Sequence, residues 1–149
     1  MNHPRWLGGR ARRFVASMRP ELLAGADLVE RARKDAAWRV LDARAAERYR
    51  GENETIDPVA GRIPGARSAP YADNLGPEGR FKPAAELRAH YVGLLGGVVP
   101  AHTVCYCGSG VTAAHNLLAM AHAGLGDGRL YAGSWSEWIV DPARPVDRG

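Results

Sequence analysis

Thr103-Val104-Cys105-Tyr106 is a short apolar run that stops at Cys107, and only Gly108-Ser109-Gly110-Val111-Thr112 separates it from an Ala-, Leu- and Met-rich stretch, Ala113 to Ala123, closed by Gly124. The first part has the length and character of a buried strand. The second has strong helix formers and a glycine stop. A strand that hands over to a helix through so short a loop commits the chain to a layered α/β arrangement, because the helix must pack back on the sheet. In such sheets, reactive groups gather where strands end and helices begin, with the first helical N–H groups pointing outward. Cys107 occupies that position.

The rest of the chain supplies the sheet. Leu22, Leu23, Leu28, Val29 and Ala32 predict a helix over 21–33, leading into a strand at Arg39-Val40-Leu41-Asp42. Arg44 to Arg50, closing at Gly51, predicts a short helical turn, and a long loop then reaches a second strand near Ala66 to Ser68. Phe81-Lys82-Pro83 opens an amphipathic helix with Leu87, Tyr91 and Leu94 on one face and Gly96-Gly97 as its stop. Arg129-Leu130-Tyr131 predicts the last strand, and Trp135 and Trp138 are expected to pack the terminal segment onto the sheet. Alternating strands and helices predict a mainly parallel central sheet with helices on both faces. Residues 1–20, Arg- and Gly-rich and without periodicity, read as a basic flexible lead-in, and 21–149 as a single domain.

Composition narrows the function classes. The net charge of +4 comes from scattered arginines with few lysines and no interleaved aromatics, which argues against nucleic acid and suits small anionic substrates. No apolar stretch approaches the roughly 20 residues of a spanning helix. The N-terminal arginines lack the apolar run and cleavage site of a secretory signal, so a cytoplasmic location is expected. Two cysteines, Cys105 and Cys107, make no disulfide framework, and a lone C-x-C is weak as a metal site. His102, His115 and His122 lack the carboxylate or Cys that would complete a ligand set and read as ordinary helix and loop residues. No cofactor and no metal are expected. Cys105 reads as a small buried hydrophobe.

Cys107 has a different setting. Gly108 and Gly110 are expected to let the backbone curl so that several amides converge on the sulfur, forming an anion nest. Lowering a thiol pKa by two takes about 2.7 kcal/mol, whereas a helix terminus supplies about 0.3–1 kcal/mol at exposed sites and up to about 2 in favourable ones. Direct hydrogen bonds from loop amides and from the Ser109 and Thr112 hydroxyls must supply the rest. A Cys-based phosphatase would need an arginine six residues after its Cys to clamp an oxyanion, and that position is Ala113.

Here a family resemblance enters. Tyr106-Cys107-Gly108-Ser109-Gly110-Val111-Thr112-Ala113 resembles the active-site loop of the catalytic, C-terminal domain of the thiosulfate/3-mercaptopyruvate sulfurtransferases, the rhodanese type, and is closer to those that use mercaptopyruvate. Leu41-Asp42-Ala43-Arg44 with Arg48-Tyr49-Arg50-Gly51, Gly61-Arg62-Ile63-Pro64-Gly65-Ala66, and Tyr131 to Trp138 match in the same order, over about residues 20–147. The resemblance implies a rhodanese-like fold and sulfur transfer: Cys107 takes sulfur from 3-mercaptopyruvate or thiosulfate as a persulfide and passes it to cyanide or a thiol. It implies that Arg48 binds the donor's anionic head, against the plainer reading of a solvated charge beside Glu47. The loop residues Gly108, Ser109, Gly110, Val111 and Thr112 would hold the substrate. Arg62 stands where the family often has His. The two-domain members build part of the mercaptopyruvate site from a first domain, so a partner domain or subunit completing the cleft is expected. A non-catalytic binding or regulatory module, or half of a split two-domain enzyme, stands as the alternative.

Overall fold

A computed structural model describes residues 13–149, and residues 1–12 of the expected lead-in lie outside the described residues. Residues 13–19 carry no regular secondary structure. Four strands follow: β1 (Arg39–Asp42), β2 (Arg67–Ser68), β3 (Thr103–Tyr106) and β4 (Arg129–Leu130). They lie in the order β2-β1-β3-β4, all pairs parallel, with Leu41 opposite Cys105 and Asp42 opposite Tyr106 at the centre. The helices are α1 (Ala26–Ala32), α2 (Ala46–Arg50), α3 (Ala84–Leu95), α4 (Val111–His122) and α5 (Ser134–Trp138).

Strand alternation sorts the core into two halves. Val40, Val104 and Tyr106 face Val29 and Ala32 of α1 and Trp135 and Trp138 of α5. Leu41, Cys105 and Cys107 face Leu87, Tyr91 and Leu95 of α3 and Ala113, Ala119 and Met120 of α4. The predicted α/β sheet with helices on both faces is therefore the observed one. Trp135 and Trp138 are fully buried, and each indole N–H is satisfied by a carbonyl, of Val59 and Pro145 respectively, at 2.9 Å.

The helix expected over 21–33 is shorter than its periodicity suggested. Pro20–Leu22 form a 3₁₀ turn, Leu23 pairs in parallel with Leu130, and the Ala24 N–H donates to the Leu130 carbonyl at 2.9 Å. These residues extend the sheet beyond β4, and the helix starts only after Gly25, whose backbone is extended. Apolar spacing alone could not separate an edge contact from a helical turn. The third helix ends at Gly96 as expected, with Leu95 rather than Leu94 fully buried. At the other end, α4 starts at Val111, two residues before the expected Ala113.

Two buried polar clusters fix the loops around the sheet. Asp42 and Arg44 are both buried, with Arg44 Nη2 2.6 Å from Asp42 Oδ2 and 2.7 Å from the Gly61 carbonyl, and its guanidinium stacked on Trp135. Removing either partner would strand a buried charge, at about 3–5 kcal/mol. On the opposite face Tyr91 donates to Asn74, Asn74 to Asn116, and Asn116 to the Ala69 carbonyl, each at 2.8 Å. His115 joins this cluster through Asn74, His122 stacks on Phe81, and His102 stacks on Trp38. Arg62 lies over Tyr49 and bridges to Asp147, tying the chain end to the loop before β2. Among the described residues no helix is long and apolar enough to cross a membrane.

Candidate active site

Parallel pairing of β1 and β3 brings their carboxyl ends to one edge, so Asp42 and Tyr106 finish side by side and the segments after them face each other. One wall of the resulting cleft is the loop after β3. Its backbone is clamped from outside by α5: the Ser134 hydroxyl accepts from the Cys107 N–H at 3.1 Å, and the Trp135 and Ser136 N–H groups donate to the Cys107 and Gly108 carbonyls at 2.9 and 3.1 Å. Ser134 itself takes a left-handed backbone, φ 55, where a non-glycine residue is uncommon, and its hydroxyl donates to the Tyr131 carbonyl at 2.8 Å. With its outward carbonyls engaged, the loop turns its amides inward.

Inside that curl the Cys107 sulfur accepts the Gly110 N–H at 3.0 Å. Burial pushes the Cys107 thiol up, but the Thr112 hydroxyl and the N–H groups of Ala113, Ser109 and Gly110 all favour the thiolate and prevail, holding the group below the usual thiol range. Gly110 makes this possible with φ +90 and a would-be Cβ only 2.8 Å from the Ala132 carbonyl, a position no other residue fits without strain. Gly108 differs from expectation, since it has no left-handed φ and a Cβ there would meet Arg48 Nη1 at an ordinary 3.6 Å. A Cβ at Gly108 would therefore fit against the Arg48 guanidinium that faces the loop. Ser109 likewise acts on the sulfur through its N–H, not through the hydroxyl expected from sequence.

Two residues upstream, Cys105 is fully buried in β3 and its thiol is pushed up to about 12, by burial first and then by the neighbouring Cys107. No amide converges on it among the described contacts.

The facing wall comes from α2 and the loop after it. A cleft of about 310 Å³ lies between the walls, with Cys107, Gly108, Ser109, Val111 and Thr112 on one side and Arg44, Ala45, Arg48, Ile56 and Asp57 on the other, closed by Tyr71 and Ser136. The structure thus brings Arg48 opposite the loop, but not as a solvated charge beside Glu47. Its Nε and Nη2 bind Glu54 at 3.1 and 3.0 Å, and Nη2 also binds Asp57 at 3.0 Å. Glu54, nearly buried, additionally accepts the N–H groups of Ile56 and Asp57. Burial raises its carboxyl, and those amides with Arg48 bring it below the usual carboxylate range. Val111, expected among the substrate contacts, is exposed at the mouth.

Glu54, Asp57, Tyr71, Ser134 and Ser136 escaped the sequence reading. The only signal was two acids, six and nine residues after Arg48, in a loop of no periodicity. Nothing local pairs Asp57 with Ser136, whose hydroxyl lies 3.0 Å from Asp57 Oδ1 and 2.8 Å from the Gly108 carbonyl.

Comparison with known proteins fits this geometry. Residues 25–141 match the family described as the rhodanese-like domain. A "Probable 3-mercaptopyruvate sulfurtransferase" of Pseudomonas aeruginosa is 59% identical over 110 residues, covering 74% of this chain and 39% of that protein. A "Putative thiosulfate sulfurtransferase SseB" of Mycobacterium tuberculosis is 43% identical over 141 residues, covering 91% of this chain and 48% of that protein. The chain therefore spans less than half the length of these curated relatives. Among solved structures, the anaerobic ergothioneine biosynthesis enzyme of Chlorobium limicola superposes with a TM-score of 0.78 at 24% identity, over 88% of this chain and 33% of that one, a likeness of fold.

Proposed function

Since this chain belongs to the rhodanese-like domain family, we propose that it is a sulfurtransferase in which the Cys107 thiolate carries the transferred sulfur as a persulfide. The observation that carries this reading is the sulfur held below the usual thiol range by the Thr112 hydroxyl and the N–H groups of Ala113, Ser109 and Gly110. The thiolate attacks the terminal sulfur of the donor. With thiosulfate the S–S bond breaks and sulfite leaves with the electron pair. With 3-mercaptopyruvate the C–S bond breaks, and the carbon takes a proton to give pyruvate. The same amides then stabilise the terminal persulfide anion. A thiol or cyanide acceptor attacks the outer sulfur, the persulfide bond breaks, and the Cys107 thiolate is restored. Arg48, facing the loop across the cleft, is the group suited to the donor's carboxylate or sulfonate.

3-Mercaptopyruvate is the preferred donor in this reading, supported by the Gly108-Ser109-Gly110 loop, which carries no basic side chain, and by the relative of that name. Thiosulfate is second. Ile56, Tyr71 and Val111, exposed at the mouth of the cleft, support its completion by a partner domain or subunit. Full mercaptopyruvate turnover by a monomer on size exclusion would remove that requirement.

Mass spectrometry after incubation with 3-mercaptopyruvate or thiosulfate tests the persulfide step. The expected result is an adduct of about 32 Da on the Cys107 peptide, absent from Cys107→Ser. No adduct with either donor would favour a binding or regulatory module instead.

A further inference from the structure

The cleft contains a conflict between its proposed job and its charges. Two cations, Arg44 and Arg48, meet three carboxylates, Asp42, Glu54 and Asp57. An anionic donor entering beside a Cys107 thiolate would meet an excess of negative charge, which the departure of one carboxylate from its cation relieves.

The guanidinium of Arg48 identifies which one. It has five N–H bonds in a fixed fork. Glu54 takes the side edge, Nε and one hydrogen of Nη2. Asp57 takes the other hydrogen of Nη2, while Nη1, nearest Gly108, has no hydrogen-bond partner among the described residues. A carboxylate or sulfonate bound end-on needs one hydrogen from Nη1 and the Nη2 hydrogen that Asp57 holds. Glu54 is fixed by two backbone amides, by Arg48, and by the charge of Arg44 at 3.8 Å. Among the described residues the Asp57 carboxylate has only Arg48 and the Ser136 hydroxyl. Glu54 is an anchor, and Asp57 is replaceable.

We propose that Asp57 is a built-in competitor for the donor site: its carboxylate occupies the end-on edge of Arg48 until the anionic head of a donor displaces it, and so sets donor selectivity. This rests on the assignment of Cys107 as sulfur carrier and Arg48 as donor anchor. Donors with a bidentate anionic head gain both the free Nη1 and the vacated Nη2. A neutral donor gains neither and leaves Asp57 in place. Asp57 acts on the donor through Arg48 and is a specificity residue, not a catalytic one.

Two measurements test it. Calorimetric titration with thiosulfate in the Cys107→Ser background separates binding from turnover. Asp57→Asn, or Asp57→Ala should the first not fold, is expected to tighten thiosulfate binding about 5- to 50-fold, while Asp57→Glu, which keeps the charge, stays within about threefold of the parent. In proteins that retain Cys107, the KM for persulfide formation from thiosulfate falls by the same factor with kcat within about twofold, and the KM for attack of Cys107 on a neutral dialkyl trisulfide, in which one S–S bond breaks, a mixed trisulfide forms and an alkylthiolate leaves, does not move. The gain disappears when Arg48→Gln is added. Unchanged or weaker thiosulfate binding in folded Asp57→Asn overturns the proposal, and so does a gain that survives Arg48→Gln. Absence of any persulfide in the parent protein would instead overturn the sulfurtransferase reading, which the titration does not touch.

Discussion

Cys105 in β3 and Cys107 in the loop after it lie two residues apart on the same side of the sheet, within one apolar cluster, yet their thiols are driven in opposite directions. The strand sulfur is enclosed by side chains, and burial dominates. The loop sulfur is also buried, but the chain curls around it. Strand backbone spends its amides on neighbouring strands, whereas loop and helix-start backbone has amides to spare. Reactivity here is a property of the backbone path more than of the residue type.

Substitutions break this contrast to different degrees. The largest effect belongs to Cys107→Ser, which removes the acceptor sulfur and should lower sulfur transfer by at least about 1,000-fold, read as loss of the persulfide adduct. Gly110→Ala comes next, because the strained φ and the Ala132 carbonyl push away the amide that contacts the sulfur. About 1–3 kcal/mol of stability is expected to go, measured by denaturant unfolding, with Cys107 alkylation at neutral pH slowed at least about tenfold. Thr112→Val keeps the loop path and deletes one hydroxyl, so alkylation should slow by about 3- to 10-fold with little change in unfolding. Cys105→Ala is the smallest for chemistry. It costs roughly 1 kcal/mol of packing and leaves the Cys107 alkylation rate within about twofold.

The sequence made the frame of this contrast readable because its signals are local. Arg39–Asp42 and Thr103–Tyr106 are short apolar runs, Gly96 stops a helix, and the loop after β3 is punctuated by glycine. The start of α1 was misplaced because Leu22 and Leu23 fit a helical spacing while tertiary pairing with β4 claimed them for the sheet edge. Around the cleft, Cys107 and Thr112 were legible as parts of one loop, and Arg48 through its motif. Glu54, Asp57 and Ser136 were not, since their meaning comes from contacts across the fold: Asp57 meets Ser136 over a separation of 79 residues. The roles of Gly108 and Gly110 could not be told apart from identity alone, because only the backbone path separates Gly110, needed for its left-handed φ, from Gly108, where a Cβ would make only ordinary contacts.

The loop, and not the cysteine itself, holds the Cys107 thiol below the usual thiol range. Alkylation of the native protein with iodoacetamide across pH, with each cysteine followed by peptide mass spectrometry, tests it directly. A group held below its usual range keeps its thiolate as pH falls through the ordinary thiol region and loses it only lower, so the Cys107 rate should reach its plateau at a lower pH than that of an ordinary thiol, while Cys105 stays unmodified until the protein unfolds. Equal labelling of the two cysteines, or a Cys107 rate that climbs only above the ordinary thiol range, would contradict the account.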